Sequence, residues 1–247
     1  MSLKNLIKAI KSDQRISPAV QTWFSQNQEL VLSKHTASLI AEQMVKVPRD
    51  RSASFSSSSR GDCHRKQVFG YLGAPTSASI DTKLRNIFLD GHWRHHRWQA
   101  LLLHLGVLTH IESPWEIPEL RLKGSLDGVN AEQEWGFELK GINDNGYKNV
   151  LHNGPLHKHL LQIHTYMVGT GMDEFALVYE NKNTNDFVEF TVHKDDDIMG
   201  QVMDELGLLN DSVDTKTLPP MLIQCQETPD YQCAYREHCP KAGARWK

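Results

Sequence analysis

Apolar residues recur at helical spacing through the first fifth of the chain. They form three stripes: Leu3, Ile7 and Ile10; Val20, Trp23 and Phe24; and Ala37, Ile40, Ala41 and Met44. A repeat of three and four residues is typical of amphipathic helices, and Ser17-Pro18 is a favourable helix start. We therefore predict a helical lobe over residues 1–50. The serine cluster at residues 52–59 then offers an N-cap for the next helix.

The helical period continues to about residue 105 and then changes to a period of two. A short helix contains Cys63 and ends at Gly73, and a longer one at about 81–105 carries His95 on its apolar stripe. Alternating apolar positions predict strands at 111–117, 121–130, 134–141, 174–180 and 187–193. Helices follow at about 156–168, after a loop rich in Asn and Gly, and at about 195–209. This order predicts an α/β (α+β) fold, with a mixed central β-sheet flanked by helices.

The composition is that of an ordinary globular protein. Of 247 residues, 39% are hydrophobic and 23% charged, and no apolar run reaches the ~18 residues that span a membrane. The first residues lack an apolar secretory segment, so we expect a cytoplasmic protein with no membrane partner. In a reducing compartment, its four Cys are metal ligands or buried thiols rather than disulfides.

Charge is unevenly distributed along the chain. Residues 1–70 carry 11 Lys and Arg against 5 Asp and Glu, whereas the remainder is acidic and the whole chain has a net charge of −3. A basic front suits a protein that presents one side to a polyanion. A solvated helical lobe would explain the same numbers.

The predicted hairpin carries two acids and a lysine that can converge. Glu138 and Lys140 share one face of their strand because strand side chains alternate. Asp127 lies near the end of the preceding strand, which a turn folds back alongside. Two carboxylates can hold a divalent cation, and a lysine can polarise water or neutralise a phosphate. The hairpin therefore indicates metal-assisted phosphodiester hydrolysis, the alternative being a surface hairpin with a Glu–Lys pair.

Three further groups are candidates for chemistry. His95 can complete a metal site begun by carboxylates, or it is a hydrogen-bonded core histidine. Gln162 and Tyr166 share a helix face with Lys158, so this face either contacts phosphates and stacks a base or is an ordinary wet surface. Four thiols match an iron–sulfur cluster or a structural zinc site, which we favour over four unliganded thiols: Cys63, Cys225, Cys233 and Cys239.

Six short motifs occur in a fixed order over residues 56–240. They are Cys63-x-Arg65-Lys66 with Tyr71-x-Gly73, Gly91-x3-His95-x3-Gln99, Gly124-x-Leu126-Asp127, Glu138-Leu139-Lys140, Gln162-x3-Tyr166 and Cys233-x5-Cys239. Together they resemble the RecB-like branch of the PD-(D/E)xK nuclease superfamily, especially the CRISPR-associated and AddB-type exonucleases that carry an iron–sulfur cluster. The chain departs from these families in the seven residues between Cys225 and Cys233, where two are usual.

The resemblance implies a nuclease domain over residues 51–247, with a restriction-endonuclease-like core and a Cys-rich C-terminal segment. It implies that Mg or Mn is held by His95, Asp127, Glu138 and the Leu139 carbonyl, and that Lys140 orients or deprotonates a water. Gln162 and Tyr166 would position the DNA strand. A 4Fe-4S cluster at the four Cys, or zinc in its place, would join the N- and C-terminal parts of the domain.

The function implied by the resemblance is a metal-dependent DNA exonuclease of a prokaryotic or phage-infected cell. It would act on single strands or duplex ends, with 5′-to-3′ polarity favoured, in replication, recombination or processing, where protein partners are possible. Two alternatives keep the same fold: a structure- or site-specific endonuclease, and a non-catalytic nucleic-acid-binding module. An electron-transfer iron–sulfur protein is a third class, but it has no use for Asp127, Glu138 and Lys140.

Overall fold

The structure is a computed structural model, and it describes residues 14–26, 29–45, 53–76, 82–227 and 233–246. The first apolar stripe, at Leu3, Ile7 and Ile10, lies outside these residues. The second and third predicted helices correspond to α1 (Ser17–Ser25) and α2 (Lys34–Met44). The division at residue 50 between a lobe and a nuclease domain stays a prediction.

The remaining helices and the strands follow the predicted order closely. The helices are α3 (His64–Tyr71), α4 (Thr82–His104), α5 (Asp144–Asn153), α6 (His157–Thr170), α7 (Asp196–Asp214) and α8 (Ile223–Glu227). The strands are β1 (Phe55–Ser56), β2 (His110–Ile117), β3 (Leu122–Asn130), β4 (Trp135–Ile142), β5 (Glu174–Asn181) and β6 (Phe187–His193). Short 3-10 turns lie at Ser57–Ser59, Pro118–Leu120 and Cys239–Lys241. No described helix has both the length and the apolar character needed to cross a membrane.

The structure differs from the prediction most at the Asn- and Gly-rich stretch before residue 156, which is not a loop but contains α5. The short elements β1 and α8 were not predicted either. The side chain of Asn143 accepts a hydrogen bond from the Gly146 N–H and caps this helix. Tyr147 and Val150 are buried on its inner side. Asn and Gly are typical of loops, but an Asn at the N-cap position starts a helix when the apolar residues that follow it can pack on a neighbouring surface.

The sheet is mixed, as predicted, and β3 is its branch point. β2 runs antiparallel along one edge of β3. On the other edge, β1 pairs in parallel with the start of β3 at Leu122, and β4 pairs antiparallel with its end at Gly128–Asn130. β4 then pairs in parallel with β5, and β5 antiparallel with β6. In the described pairings, the middle of β3 therefore has a gap on the side of β4, and Asp127 lies at its border.

Helices cover both faces of the sheet. On one face, α1 and α4 pack on alternate residues of β4 and β5 around a core that includes Trp98, Leu102, Phe137 and Leu139. On the other face, α5 and α6 cover the intervening residues, among them Leu126, Phe175 and Leu177. α3 and α7 pack together with Tyr235 of the C-terminal segment in a third cluster. Side chains from helices on both faces of the sheet can therefore reach the gap beside Asp127.

A buried carboxylate fixes α1 to the sheet. Glu189 of β6 is 1% exposed and accepts hydrogen bonds from the backbone N–H groups of Arg15, Ile16 and Ser17, at 2.7 to 3.2 Å. The unpaired N–H groups and the dipole at a helix N-terminus favour a negative charge there. Ile16, Val20 and Trp23 of this segment join the core formed by α4.

Candidate active site

The opening between β3 and β4 brings Asp127 to the main chain of the neighbouring strand. The Leu139 N–H donates a hydrogen bond to Asp127 Oδ2 at 2.8 Å. The carboxylate thus replaces a strand-to-strand hydrogen bond at the point where the two strands separate. This contact places Asp127 beside the residues on either side of Leu139, which are Glu138 and Lys140.

Glu138 and Lys140 lie on one face of β4, as the alternation predicts. Lys140 Nζ is 2.5 Å from Glu138 Oε1. Phe137 and Leu139 point to the opposite face and are fully buried against the layer that contains α4. The carboxylate and the ammonium therefore face α6, with Glu138 only 2% exposed.

Helix α6 contributes Gln162, which connects the acid and the lysine. Its Oε1 accepts from Lys140 Nζ at 2.8 Å, and its Nε2 donates to Glu138 Oε1 at 2.9 Å. The same Nε2 is 2.6 Å from the Tyr166 hydroxyl, which also hydrogen-bonds to Ser57. A side chain bonded on both of its polar atoms has little freedom to rotate, so Gln162 holds Glu138 and Lys140 in one arrangement.

Gln162 and Tyr166 do not form an exposed stripe, which corrects one of the sequence alternatives. They are 5% and 3% exposed, and the Tyr166 ring stacks on Phe175 at a centroid distance of 5.7 Å. Tyr166 therefore has no free face for a DNA base. α6 is covered because β2, β3, Ser57–Ser59 and α7 all contact it. Lys158 alone of that predicted stripe is exposed.

His95 reaches the site from α4, on the other face of the sheet. Its Nδ1 is 3.2 Å from Asp127 Oδ1. Burial by itself lowers the pKa of His95, but the charge and hydrogen bond of Asp127, with the charge of Glu138, raise it to about 9. At neutral pH the imidazole is thus cationic and paired with Asp127 in this arrangement.

A second buried carboxylate, Glu180 of β5, fixes α4 and hence His95. It is fully buried and accepts from Arg94 Nη1 at 2.7 Å and from the Trp98 indole N–H at 2.6 Å. Arg97 also contacts Glu180. Because Arg94 and Trp98 flank His95 on α4, this network sets how far the imidazole extends toward Asp127.

The pKa values of the two acids of the site are shifted in opposite directions. Burial raises the pKa of Asp127, but the His95 charge and hydrogen bond, Lys140 and the Leu139 N–H outweigh it and lower the pKa. For Glu138, burial and the neighbouring Asp127 charge raise the pKa, and Lys140 offsets only part of this. Two carboxylates confined together favour any additional positive charge that reaches them.

The residues fit a hard divalent cation by their chemistry. Glu138 Oε2 is buried and has no hydrogen-bond partner within the described part of the chain, which is costly for a carboxylate oxygen unless a ligand satisfies it. Carboxylate oxygens with one imidazole suit Mg or Mn. As they stand, no three His, Cys, Asp or Glu side chains among the described residues already surround a metal-sized space. His95 and Lys140 instead contact Asp127 and Glu138 directly.

The four cysteines line a single cavity, to which Cys63 comes from the start of α3 and the other three from the last part of the chain. The lining consists of Cys63, Arg65, Met221, Leu222, Cys225, Cys233, Arg236, Cys239 and Pro240. Each thiol is partly exposed, and burial raises the pKa of Cys239, with the neighbouring Cys63 and Cys233 acting in the same direction. Four thiols at one cavity are a donor set for zinc or an iron–sulfur cluster.

Arg65 of α3 holds the C-terminal segment over this cavity. Its guanidinium donates to the carbonyl oxygens of Pro219 and Ala242 at 2.9 Å, and more weakly to those of Cys239 and Gly243. Its place in the first sequence motif does not indicate this role. A planar group with five donors suits several carbonyls converging on one point.

Two residues near the acids were missed as site residues. Gln99 was quoted only as the last residue of a motif, and Glu112 was not considered. Gln99 Nε2 donates to Glu112 Oε1 and to the Asp127 carbonyl oxygen, each at 2.9 Å. The predicted strand at 111–117 comes just before the strand of Asp127, and pairing the two would have placed Glu112 near the site.

No protein-family model and no curated protein sequence matches the chain. Solved structures do resemble it. An alkaline exonuclease from Laribacter hongkongensis superposes with a TM-score of 0.51 at 16% identity, over 67% of this chain and 90% of that one. The same enzyme in complex with dAMP gives a TM-score of 0.51 at 17% identity, with the same coverage. A phage-related exonuclease from Haemophilus somnus 129PT is 10% identical over 66% of this chain and 94% of that one, with a TM-score of only 0.44.

At identities this low, the superposition shows the fold alone, and the activity has to be inferred from the residues of the site. The predicted mixed sheet flanked by helices is confirmed by its similarity to the alkaline exonuclease. The chain thus shares its overall fold with this alkaline exonuclease.

Proposed function

We propose that this chain is a metal-dependent nuclease that hydrolyses phosphodiester bonds of DNA, acting as an exonuclease on single strands or duplex ends. The observation that carries the proposal is the state of Glu138. One oxygen is held by Lys140 and Gln162, while the other is buried, beside Asp127 and His95, and has no partner among the residues that the structure describes. A structural ion pair has no need of an unsatisfied buried oxygen, whereas a metal ligand does.

Asp127, Glu138, His95 and the Leu139 carbonyl would hold Mg or Mn. When bound, such an ion lowers the pKa of a coordinated water and stabilises the charge that develops on the phosphate. Lys140 would orient that water through its ammonium, and the Gln162 amide keeps Nζ beside Glu138. To hold the ion, His95 would have to be a neutral imidazole, so the proton that it shares with Asp127 in this structure would be released on binding.

DNA as the substrate and an exonucleolytic mode are supported by the similar structures, which are described as exonucleases, one of them with bound dAMP. The 5′-to-3′ polarity rests on the sequence resemblance alone. A role in replication, recombination or processing, with protein partners from those reactions, belongs to the same proposal.

We further propose a metal centre at Cys63, Cys225, Cys233 and Cys239, a 4Fe-4S cluster or zinc. Its role is structural: it would tie the last segment of the chain to α3 at the cavity where Arg65 already binds that segment. Irregular backbone near a terminus gains stability from such a centre because little core is available there.

The test is cleavage of end-labelled linear single-stranded DNA and of circular single-stranded DNA, with Mn2+ and with EDTA. The proposal expects Mn-dependent shortening of the linear substrate and an intact circle. Glu138→Gln should abolish cleavage, by at least about 100-fold, while DNA binding persists. Cleavage of the circle would instead indicate an endonuclease, and no cleavage by the wild-type protein would indicate a binding module. Unchanged cleavage by Glu138→Gln would refute the site.

A further inference from the structure

Gln99 is fully buried on α4, one helical turn after His95, and neither of its amide hydrogens is free. One is directed at the main-chain carbonyl of Asp127 and the other at the carboxylate of Glu112, both at 2.9 Å. Its Oε1 lies 3.4 Å from His96 Nδ1. An amide with both donors used has one allowed orientation, so Gln99 acts as a rigid link from α4 to β3.

His95 and Gln99 attach the same helix to the same residue. His95 contacts the Asp127 carboxylate and Gln99 contacts the Asp127 carbonyl, and the two side chains are four residues apart on one helix face. The hydrogen bond from Gln99 to the Asp127 carbonyl therefore fixes the distance between α4 and β3, and it does not involve the Asp127 carboxylate that is proposed to bind the metal. A shift of α4 would move the imidazole away from the acids.

Glu112 completes the link from the neighbouring strand. It lies between the pairs Ile111–Gly128 and Ser113–Leu126, which places it opposite Asp127 on β3. Its φ of 48° is in the left-handed region, which is strained for a residue other than glycine. Such strain is kept where other contacts require it. Here the strained residue is the one whose carboxylate accepts from Gln99.

We propose that Gln99 and Glu112 form a positioning pair for the candidate metal site. Gln99 holds the helix of His95 at a set distance from Asp127, and Glu112 holds the Gln99 amide in the orientation that this requires. This inference rests on the proposed function, since it concerns the geometry of that same site. Removing a group that orients a metal ligand without binding the metal itself typically lowers the metal affinity about 10–100-fold.

The experiment measures Mn2+ affinity by isothermal titration calorimetry, so that it does not depend on cleavage. Gln99→Met keeps the side-chain length and removes both donors, and we expect the Kd for Mn2+ to rise about 10-fold or more. Glu112→Ala removes the acceptor and should weaken Mn2+ binding in the same direction. Glu112→Gln keeps an oxygen acceptor and should stay within about two-fold of wild type.

Gln67→Met is a matched control elsewhere in the molecule. Gln67 is also buried, and its Nε2 donates to one backbone carbonyl, that of Asp62, and to one carboxylate, that of Glu205. This substitution should lower stability much as Gln99→Met does, but leave the Kd for Mn2+ unchanged. The comparison separates positioning from a general loss of stability.

The outcomes separate the two proposals. Wild-type protein that binds no Mn2+ refutes the proposed function and this inference with it. If the wild-type protein binds Mn2+ and the Kd is unchanged in Glu112→Ala, the positioning pair alone is refuted. Because Glu112 is only partly buried, this variant also provides the test should Gln99→Met fail to fold. An equal loss in Glu112→Gln and Glu112→Ala also refutes the pair, because the charge rather than the acceptor would then be needed.

Discussion

His95 Nδ1 lies 3.2 Å from Asp127 Oδ1, although the two residues come from different layers of the molecule. The imidazole belongs to a helix on one face of the sheet, while Gln162 approaches the same site from a helix on the other face. The meeting point exists because β3 and β4 pair only at one end. The site is therefore a property of how the layers are fixed to each other, and its supports can be tested separately.

Glu180→Gln tests the support of α4. Gln retains an oxygen acceptor but leaves the buried Arg94 with only the exposed Asp90, at 3.3 Å, as a counter-charge, so we expect the free energy of unfolding to fall by about 3 kcal/mol. Urea denaturation at neutral pH measures this. Glu116→Gln is the control, since Glu116 and Lys123 form an exposed pair 3.7 Å apart and its loss should cost less than about 1 kcal/mol. Equal effects of the two substitutions would contradict the role given to Glu180.

Lys140→Met separates metal binding from catalysis. The substitution removes the ammonium next to Glu138 and should lower the cleavage rate by about 100-fold or more. Mn2+ binding should persist, or tighten, because a positive charge leaves the acids. Lys148→Met is the control: Lys148 is exposed and pairs with Asp144 one turn away. Cleavage at more than a tenth of the wild-type rate in Lys140→Met would show that Lys140 is not part of the catalytic apparatus.

His159 makes stability depend on pH. The Leu156 N–H donates to the Tyr179 hydroxyl at 3.0 Å, and that hydroxyl is 2.8 Å from His159 Nδ1. It can therefore donate its hydrogen to a neutral imidazole. Burial, with the charges of Lys140 and Lys158, lowers the pKa of His159 to about 3. Below the ordinary value of about 6.5, the unfolded chain binds a proton that the folded chain does not, so stability falls as the pH falls through the window from about 6.5 to 3.

The measurement for His159 is urea unfolding at pH 7 and pH 5. His159 alone should remove about 2 kcal/mol between these values, and His159→Asn, which keeps an acceptor for Tyr179, should remove that part of the loss. His157→Asn, an exposed position on the same helix, should preserve the wild-type dependence. If His159→Asn loses as much stability as wild type on acidification, the group that titrates is a different one.

Cys63→Ser tests the proposed centre at the cysteine cavity. Three ligands hold iron or zinc less tightly than four, so anaerobically purified variant protein should carry less metal and unfold at a lower temperature than wild type. Metal analysis and the visible spectrum distinguish the two metals, since an iron–sulfur protein is brown and a zinc protein colourless. Wild-type protein free of both metals would contradict the proposal, whatever the stability of Cys63→Ser.

Much of the site could be predicted from local pattern because it depends on strand periodicity. A period of two places Glu138 and Lys140 on one face wherever that strand lies, and Asp127 is brought close by the hairpin. The exposure of Gln162 and Tyr166 could not be predicted in this way. Helical spacing shows that they share a face, but not whether another segment covers it, and here Ser57 and the strands do. Asn143 shows a similar limit, since the same residue type starts helices and forms loops.

By itself, the sequence determined the order of helices and strands and the residues with chemistry on each, because periodicity and residue type are local. Only the tertiary structure decided that β3 separates from β4 beside Asp127, that Glu180 and Gln99 set the height of α4, and that four thiols line one cavity. Those features depend on buried carboxylates finding donors from distant segments. Such pairings arise only when packing removes water from both partners, and no local pattern records them.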